Sequence, residues 1–165
     1  MHNRWKPNVT VAAVIERAGK FLLVEEQTSE GLKLNNPAGH LDPGESLIDA
    51  CARETLEETA HFFQPTALVG VYMSRSPRPS RALEAAKHIT YLRFAFSGDL
   101  GSFVHARRLD HGIVRTLWMD VNEIRGSTQR HRSPLLLRCV EDYLAGTRFP
   151  IGMLSTDLGP HPARD

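Results

Sequence analysis

The most constraining stretch of this sequence runs from residue 36 to residue 60 and joins a loop to a helix. Its first ten residues include two prolines and two glycines, which favour tight turns over regular structure. From Ser46 to Thr59 there is no glycine or proline, and alanine, leucine, glutamate and arginine dominate. Ser46, with Asp49 three residues on, predicts the N-cap of this helix.

Three glutamates of the predicted helix fall in one sector when it is projected at about 100° per residue. They are Glu54, Glu57 and Glu58, and like charges one turn apart destabilise a helix by about 0.2–0.5 kcal/mol per pair. A hard divalent cation such as Mg²⁺, which takes oxygen ligands and joins carboxylates to substrate phosphates, would offset this repulsion. The alternative is a solvated acidic face on a structural helix that binds no metal. The face predicted to be buried contains Ile48, Cys51, Ala52, Thr55, Leu56 and Thr59.

The spacing of the charged residues separates these alternatives. The order is a glycine, five residues, a glutamate, seven residues, an Arg-Glu pair, two residues and a Glu-Glu pair. This order resembles the signature of the Nudix (MutT-like) hydrolases at all of its charged positions and its first glycine. The matching residues are Gly39, Glu45, Arg53, Glu54, Glu57 and Glu58.

Three positions depart from the family pattern. Thr55 and His61 stand where aliphatic residues are usual, and Ala60 stands where the family has glycine. A left-handed cap at the end of the helix would disfavour alanine, so the form of the C-terminal cap is left open. These positions belong to the packing face and the helix exit, and no carboxylate is lost.

The resemblance extends from about Lys6 to about Asp157. Within the family, the chain is similar in particular to the phosphatase NudJ subgroup, for example in the segment PAGHL at residues 37–41. It implies hydrolysis of nucleoside di- and triphosphates, and of hydroxymethylpyrimidine diphosphate, with Mg²⁺ or Mn²⁺. Leu34 stands where the subgroup has tryptophan, so a difference in base or pyrimidine preference is expected.

The resemblance also implies roles for single residues. The metal ligands it implies are Glu54, Glu57, Glu58 and the main-chain carbonyl of Gly39. Glu45 and Arg53 would orient these ligands. Gly39 and Gly44 would let the loop backbone approach the diphosphate closely. The general base stays open between Glu54, Glu58 and Asp110. Related proteins often have an acidic residue in the loop before the strand of Trp118, and the position aligned with it is either Asp110 or Gly112.

A basic, proline-interrupted stretch at residues 74–87 is long for a hairpin loop. Arg75, Arg78 and Arg81, with Lys87, are candidates for contacts to the phosphates or the base of a substrate. The alternative is a solvated basic loop.

The order of predicted elements indicates one α+β domain over residues 1–165, with a core from about 6 to 154 and a tail at 155–165. The Nudix resemblance implies an α/β/α sandwich with mixed β-sheets. The first two strands are predicted to form a hairpin, residues 27–31 and 98–112 are predicted loops, and residues 149–154 form a last strand or an arm. The predicted strands are 9–15, 21–24, 67–73, 88–96 and 114–119, and the predicted helices are 46–59, 120–124 and 133–145.

The charge balance excludes some classes of partner. Twenty basic and nineteen acidic residues create no overall field for a nucleic acid polymer or a membrane surface, and no apolar run is long enough to span a bilayer. Cys51 and Cys139 are interpreted as buried reduced thiols, which favours the cytoplasm. Monomer and homodimer both stay open. Two alternative functions also stay open. One is a Nudix-fold module that senses a ligand without turnover. The other is an enzyme that hydrolyses another nucleoside diphosphate derivative, such as a sugar nucleotide.

Overall fold

The computed structural model describes residues 5–77 and 88–159. The strands are β1 (Asn8–Val14), β2 (Glu16–Arg17), β3 (Lys20–Thr28), β4 (Gly31–Asn35), β5 (Ala38–His40), β6 (His61–Pro77), β7 (His88–Phe103), β8 (Ile113–Asp120) and β9 (Phe149–Pro150). The α-helices are α1 (Leu47–Thr59), α2 (Val121–Gly126) and α3 (Leu135–Leu144), and two 3₁₀ turns lie at Thr128–Arg130 and Ile151–Met153. In the described residues, no helix is long and apolar enough to cross a membrane.

Two sheets make up the β structure. The larger one has the order β5-β1-β7-β6-β9, in which β1 and β7 run parallel and the other neighbours are antiparallel. In the second sheet β3 is central, with β8 on one edge and β2 and β4 on the other. The predicted α+β class with mixed sheets is therefore confirmed.

Alternate residues of β1 enter two different apolar clusters. Ala12 and Val14 pack in a cluster with residues of α2 and α3, whereas Val11 and Ala13 pack in a cluster with residues of α1. A strand that is buried on both faces reads as a continuous apolar run without alternation. This arrangement places helices on opposite faces of the larger sheet and gives the predicted α/β/α sandwich.

Helix α1 begins as predicted. The Ser46 hydroxyl oxygen accepts a hydrogen bond from the backbone N–H of Asp49 at 3.1 Å. Thr55 and Thr59 are fully buried, and each hydroxyl donates to the carbonyl oxygen one turn earlier, at 2.8 and 2.6 Å. Thr55 therefore replaces an aliphatic residue without leaving an unpaired donor. Ala60 is the C-cap residue and has the left-handed conformation, with φ 57°. The left-handed cap is therefore present, although this conformation favours glycine over alanine.

The predicted hairpin of the first two strands is only partly right. The body of β1 pairs with β5 and β7, while β3 belongs to the other sheet. Only the short β2 pairs with the start of β3, around the turn at Ala18 and Gly19. The predicted loop at 27–31 is wrong, because β3 continues to Thr28 and β4 starts at Gly31.

The hairpin of β6 and β7 is longer than predicted. It pairs from His61 with Phe103 to Pro77 with His88, so much of the predicted irregular segment after residue 98 is strand. A register shift between Leu68 and Gly70 marks a bulge in β6. Strand β1 pairs with β7 only from Tyr91 onward, so in the described residues the far end of the hairpin is a two-stranded ribbon. Residues 78–87, which hold most of the predicted basic loop, lie outside the described residues.

Glu25 in β3 is 2% exposed and accepts hydrogen bonds from Arg115, at 2.7 Å, and from Arg130. The hydrogen bond from Arg115 is the main reason that the pKa of this carboxyl lies below its usual range. A lowered pKa in the folded state stabilises the fold above the pKa of the unfolded chain, and this stabilisation is lost as the pH falls through the lowered value. We expect Glu25→Gln to reduce the free energy of unfolding at pH 7 by about 2 kcal/mol.

Thermal unfolding of both proteins from pH 7 down to about pH 2, which passes through the range below the usual carboxyl pKa of 4.5, checks this expectation. The difference in Tm between wild type and variant should narrow toward the acidic end, where the wild-type carboxyl takes up a proton. A difference that is constant over this range would show that the amide disturbs packing and not charge pairing.

Candidate active site

Gly39 in β5 lies directly against the carboxylate of Glu54 in α1. A Cβ atom added at Gly39 would lie 2.0 Å from the carboxyl carbon of Glu54, far inside van der Waals contact. The backbone of β5 is ordinary, so this glycine is required for close approach and not for a left-handed conformation. The first glycine of the signature and its second glutamate therefore meet in space.

We expect Gly39→Ala to lower kcat by about tenfold or more, because the added methyl group displaces the Glu54 carboxylate from its position. The displaced group is the end of a flexible side chain, so the loss of stability should be small, about 1 kcal/mol. Gly126→Ala is the matched control, since nothing lies within 4 Å of a Cβ there. Steady-state kinetics and Tm on both variants check this, and normal turnover of Gly39→Ala would contradict it.

The Arg53 guanidinium connects helix α1 to the loop before it. Its Nε and Nη2 donate to the two carboxylate oxygens of Glu45 at 2.9 and 2.7 Å, and Nη2 also donates to the carbonyl oxygen of His40 at 3.0 Å. Its Nη1 donates to Glu54 and to Glu57, both at 2.9 Å. The hydrogen bonds to Arg53 hold the pKa of Glu45 below its usual range. One side chain thus fixes three carboxylates and the carbonyl at the end of β5.

Glu58 lies deeper in the site than its neighbours. Its Oε2 accepts the backbone N–H of Ala38 at 2.8 Å. Burial raises the pKa of Glu58 to about 8. The hydrogen bond from Ala38 lowers this pKa, whereas the negative charges of Glu54, Glu26 and Asp110 raise it further. Burial also raises the pKa of Glu54, an effect that Arg53 opposes and the charge of Asp110 reinforces. The site therefore concentrates negative charge that the described residues do not fully neutralise.

This concentration of charge is where a divalent cation would fit. In the described part of the chain, no three acidic, His or Cys side chains converge at metal-ligand spacing. Arg53 instead holds Glu54 and Glu57, while Glu58 is bonded to the β5 backbone. Mg²⁺ keeps several water ligands and needs only one or two protein carboxylates, so oxygen donors of this kind suit it.

The comparisons with known proteins agree with this geometry. The NUDIX domain model matches residues 5–139. The chain belongs to the Nudix family. Phosphatase NudJ of Escherichia coli is 34% identical over 150 residues, which covers 91% of this chain and 92% of that protein. A solved structure described as a NUDIX hydrolase from Nitrosomonas europaea has 51% identity and a TM-score of 0.83, covering 94% of this chain and all of that one.

A MutT protein from Methanosarcina mazei matches with a TM-score of 0.62 at 24% identity, covering 86% of this chain and 96% of that one, which supports the fold alone. The Nudix assignment makes this chain a hydrolase of phosphoanhydride bonds. Among the six signature residues, Arg53 binds Glu45, Glu54 and Glu57. Gly39 lies against Glu54, and Glu58 accepts the backbone N–H of Ala38.

Asp110, the third candidate for the general base, lies at the Nudix site. Its backbone N–H donates to the carbonyl oxygen of Glu57 at 2.9 Å, and its carboxylate raises the pKa of Glu54 and Glu58. Gly112, two residues on, adopts a left-handed turn at φ 95° and does not line the cavity beside the glutamates. Because of its position, Asp110 stays a candidate for the general base, together with Glu54 and Glu58.

A cavity of about 500 Å³ opens beside the carboxylates, between the two sheets. Gly39, Glu54, Glu58 and Asp110 line the end at the signature helix. The rest of the wall comes from residues that sequence reasoning did not assign to the site, and several of them are polar. The polar ones include Thr10, Glu26, Asn35, Ser74, Tyr91 and Arg93. Arg93 is a charged residue within the otherwise apolar sequence of β7. It was the one signal in the sequence that one face of this strand borders a functional site.

Other predicted site residues lie apart from the cavity. Gly44 occupies an exposed left-handed turn at φ 86° and does not line it. Arg75 is exposed on β6, on the face opposite Ser74 and Ser76, which do line it. Leu34 is fully buried in the cluster that includes α3, so its replacement of tryptophan can act on the cavity only through its neighbours.

Proposed function

We propose that this Nudix protein is a Mg²⁺-dependent pyrophosphohydrolase that cleaves phosphoanhydride bonds of nucleoside di- and triphosphates and of hydroxymethylpyrimidine diphosphate. The observation that carries the proposal is a cavity of about 500 Å³ that has Glu54 and Glu58 at one end. Arg53 holds Glu54 there and also binds Glu45 and Glu57. A cavity of this volume suits a nucleotide-sized ligand. The name of the Escherichia coli relative, phosphatase NudJ, supports phosphate-ester or anhydride chemistry.

The proposed metal ligands are Glu54, Glu57, Glu58 and the carbonyl oxygen of Gly39. When bound, Mg²⁺ would neutralise phosphate oxygens and act as a Lewis acid on the reacting phosphorus. Arg53 keeps Glu54 and Glu57 in place through paired hydrogen bonds, which limits their motion during turnover. Glu45 in turn fixes the orientation of the Arg53 guanidinium from the loop.

One of three carboxylates takes the proton of the attacking water, and the structure supports each of them by position. Glu54, Glu58 and Asp110 all line the cavity. Asp110→Asn separates the alternatives, because Asp110 is outside the proposed ligand set. A fall in kcat of about 10²-fold or more would assign the base to Asp110, and a small change would assign it to Glu54 or Glu58.

The direct test is the release of phosphate or pyrophosphate from a panel of substrates. The panel contains nucleoside di- and triphosphates, sugar nucleotides and hydroxymethylpyrimidine diphosphate, each with Mg²⁺, with Mn²⁺ and with EDTA. We expect metal-dependent turnover of the first and last classes. Preference for sugar nucleotides would indicate the alternative substrate class, and binding without turnover of any compound would indicate a ligand sensor.

The basic loop is proposed to contact the substrate and not the reacting phosphorus. Arg78 and Arg81 are its candidates, whereas Arg75 faces away from the cavity. We expect Arg78→Ala with Arg81→Ala to raise KM by about threefold to tenfold at low salt and to leave kcat nearly unchanged. Arg75→Ala should leave both constants near wild type and is the matched control.

Measurement of both constants at low and high salt checks the loop prediction, since added salt should weaken exposed phosphate contacts and reduce the difference. An unchanged KM at low salt would show a solvated loop. A collapse of kcat would show that the loop reaches the reaction centre.

We also propose that the enzyme acts in the cytoplasm on small molecules, as a monomer or a homodimer, and not on nucleic acid polymers or membranes. Cys51 and Cys139 support the compartment, because both are buried and free. Burial raises the pKa of Cys139 to about 11, so this thiol stays protonated and unreactive at neutral pH. Light scattering on the purified protein distinguishes the two oligomeric states.

A further inference from the structure

Glu57 lies between two arginines that come from different parts of the chain. Its Oε2 accepts a hydrogen bond from Nη1 of Arg53 at 2.9 Å. Its Oε1 lies 3.8 Å from Nη2 of Arg107, which belongs to the loop between β7 and β8. A separation of 3.8 Å is too long for a hydrogen bond, so Arg107 acts on Oε1 through its charge alone.

The loop that contains Arg107 is fixed to the end of helix α1 by its backbone. The N–H of Val104 donates to the carbonyl oxygen of Ala60 at 2.7 Å, and the N–H of Asp110 donates to the carbonyl oxygen of Glu57 at 2.9 Å. Within the loop, the N–H of Arg107 donates to the carbonyl oxygen of Val104 at 3.0 Å. The backbone of the loop therefore places Arg107 beside Glu57, and the ion pair is not needed to bring it there.

The two arginines differ in how firmly they are held. Arg53 also donates to Glu45 and Glu54, so its displacement would disturb three carboxylates at once. The side chain of Arg107 is 36% exposed, and its ion pair with Glu57 has no hydrogen bond to hold it. A divalent cation bound to Oε1 of Glu57 would lie close to the Arg107 guanidinium, and charges of the same sign at short range repel each other. The guanidinium of Arg107 is therefore the group that moves into solvent when a cation takes this oxygen.

We propose that Arg107 is a positioning residue that sets the affinity of the protein for its divalent cation, because it pairs with the Glu57 oxygen that the cation would take. The charge of Arg107 competes with the cation for Oε1 and holds the carboxylate against the loop. Glu57 becomes available as a ligand only when this pair opens, so the pair weakens the binding of the metal. The inference rests on the proposed function, because it takes Glu57 to be a metal ligand.

The test is the dissociation constant of Mn²⁺, measured without substrate by electron paramagnetic resonance. Arg107→Gln removes the competing charge, and we expect it to tighten Mn²⁺ binding by about threefold to tenfold at low salt. Added salt screens the partly exposed pair, so the difference should shrink at high salt. Arg108→Gln is the matched control, because it removes the same charge from the next residue of the loop, which is exposed. An unchanged affinity in Arg107→Gln, or an equal gain in Arg108→Gln, would overturn the proposal.

Two further variants separate competition for Glu57 from a structural role of Arg107. Arg107→Lys keeps the charge, and because the pair has no directed hydrogen bond, we expect its affinity for Mn²⁺ to stay within about twofold of wild type. In a Glu57→Gln background, Arg107→Gln should also change the affinity by less than about twofold, because the carboxylate through which Arg107 acts is absent. The same gain in Arg107→Lys as in Arg107→Gln, or the same gain in both backgrounds, would show that Arg107 does not act through its charge on Glu57.

The outcomes distinguish this inference from the proposed hydrolase. Metal-dependent hydrolysis by the wild type, with a Mn²⁺ affinity that does not respond to Arg107→Gln, would retain the hydrolase and reject the role of Arg107. Tighter Mn²⁺ binding in Arg107→Gln, without hydrolysis of any phosphate substrate by the wild type, would do the reverse. If neither the wild type nor Arg107→Gln binds Mn²⁺, the metal site and the role of Arg107 are rejected together.

Discussion

Glu57→Gln and Glu58→Gln each lower kcat by about 10²-fold or more, with the fold intact, if these glutamates hold the metal. Each change keeps the size of the side chain and removes one charge from the proposed ligand set, and a bound metal contributes several kcal/mol to transition-state stabilisation. In Glu58→Gln, the new amide oxygen can still accept the hydrogen bond that Ala38 donates in the wild type. Because burial raises the pKa of Glu58 to about 8, loss of its charge should leave Tm unchanged or slightly higher.

Steady-state kinetics over a range of Mg²⁺ concentrations, with Tm for each variant, checks this result. Glu141→Gln is the matched control, since Glu141 lies on α3 and contacts Arg125. The apparent affinity for Mg²⁺ should fall in both ligand variants and stay normal in the control. Wild-type turnover in Glu57→Gln and Glu58→Gln would exclude these carboxylates as ligands and leave a solvated acidic face.

Arg53→Lys is the second large effect that we expect, although it conserves the charge. The guanidinium makes five hydrogen bonds, to Glu45, Glu54, Glu57 and the His40 carbonyl. An ammonium group has three donors at one point and cannot span a loop and two turns of a helix. We therefore expect kcat to fall by about 10²-fold, because the ligand carboxylates lose their common support.

Stability should change much less than turnover, because the Arg53 side chain is 28% exposed and water can replace part of its contacts. Arg125→Lys is the control, since Arg125 has a single carboxylate partner in the described residues. Turnover close to wild type in Arg53→Lys would show that Arg53 is an ordinary surface ion-pair residue. A large fall in Tm would instead assign it a mainly structural role.

Helix α1 and its carboxylates were predictable because the signals that define them are local. Ser46, the absence of helix breakers and the spacing of the glutamates all act within a few turns of one helix. The family pattern implied only that Glu45 and Arg53 orient the ligands, and the structure supplies their mutual hydrogen bonds. The close approach of Gly39 to Glu54 was implied only as backbone proximity, and the structure supplies the contact itself.

The pairing of the strands was less predictable, since it depends on contacts between distant residues. Two apolar strands joined by a short turn favour a hairpin, yet β1 and β3 divide between two sheets because α1 and α3 cover both faces of β1. Strand β3 continues beyond its predicted end at residue 24 through Glu25, a charged residue that is paired with Arg115 and Arg130 from distant parts of the chain. The cavity walls come from strands far apart in sequence, so Asn35 and Thr10 had no local signal.

The two-stranded ribbon at the far end of β6 and β7 has a consequence for how such an enzyme diversifies. Ser74, Ser76 and Ile89 of the ribbon line the cavity, whereas the glutamates come from α1. In the described residues the ribbon pairs with no third strand beyond Tyr91, so changes in its length or composition leave the sheet that supports α1 undisturbed. We therefore expect that exchanging the ribbon for one from a related enzyme alters one wall of the cavity and leaves the glutamates of α1 in place.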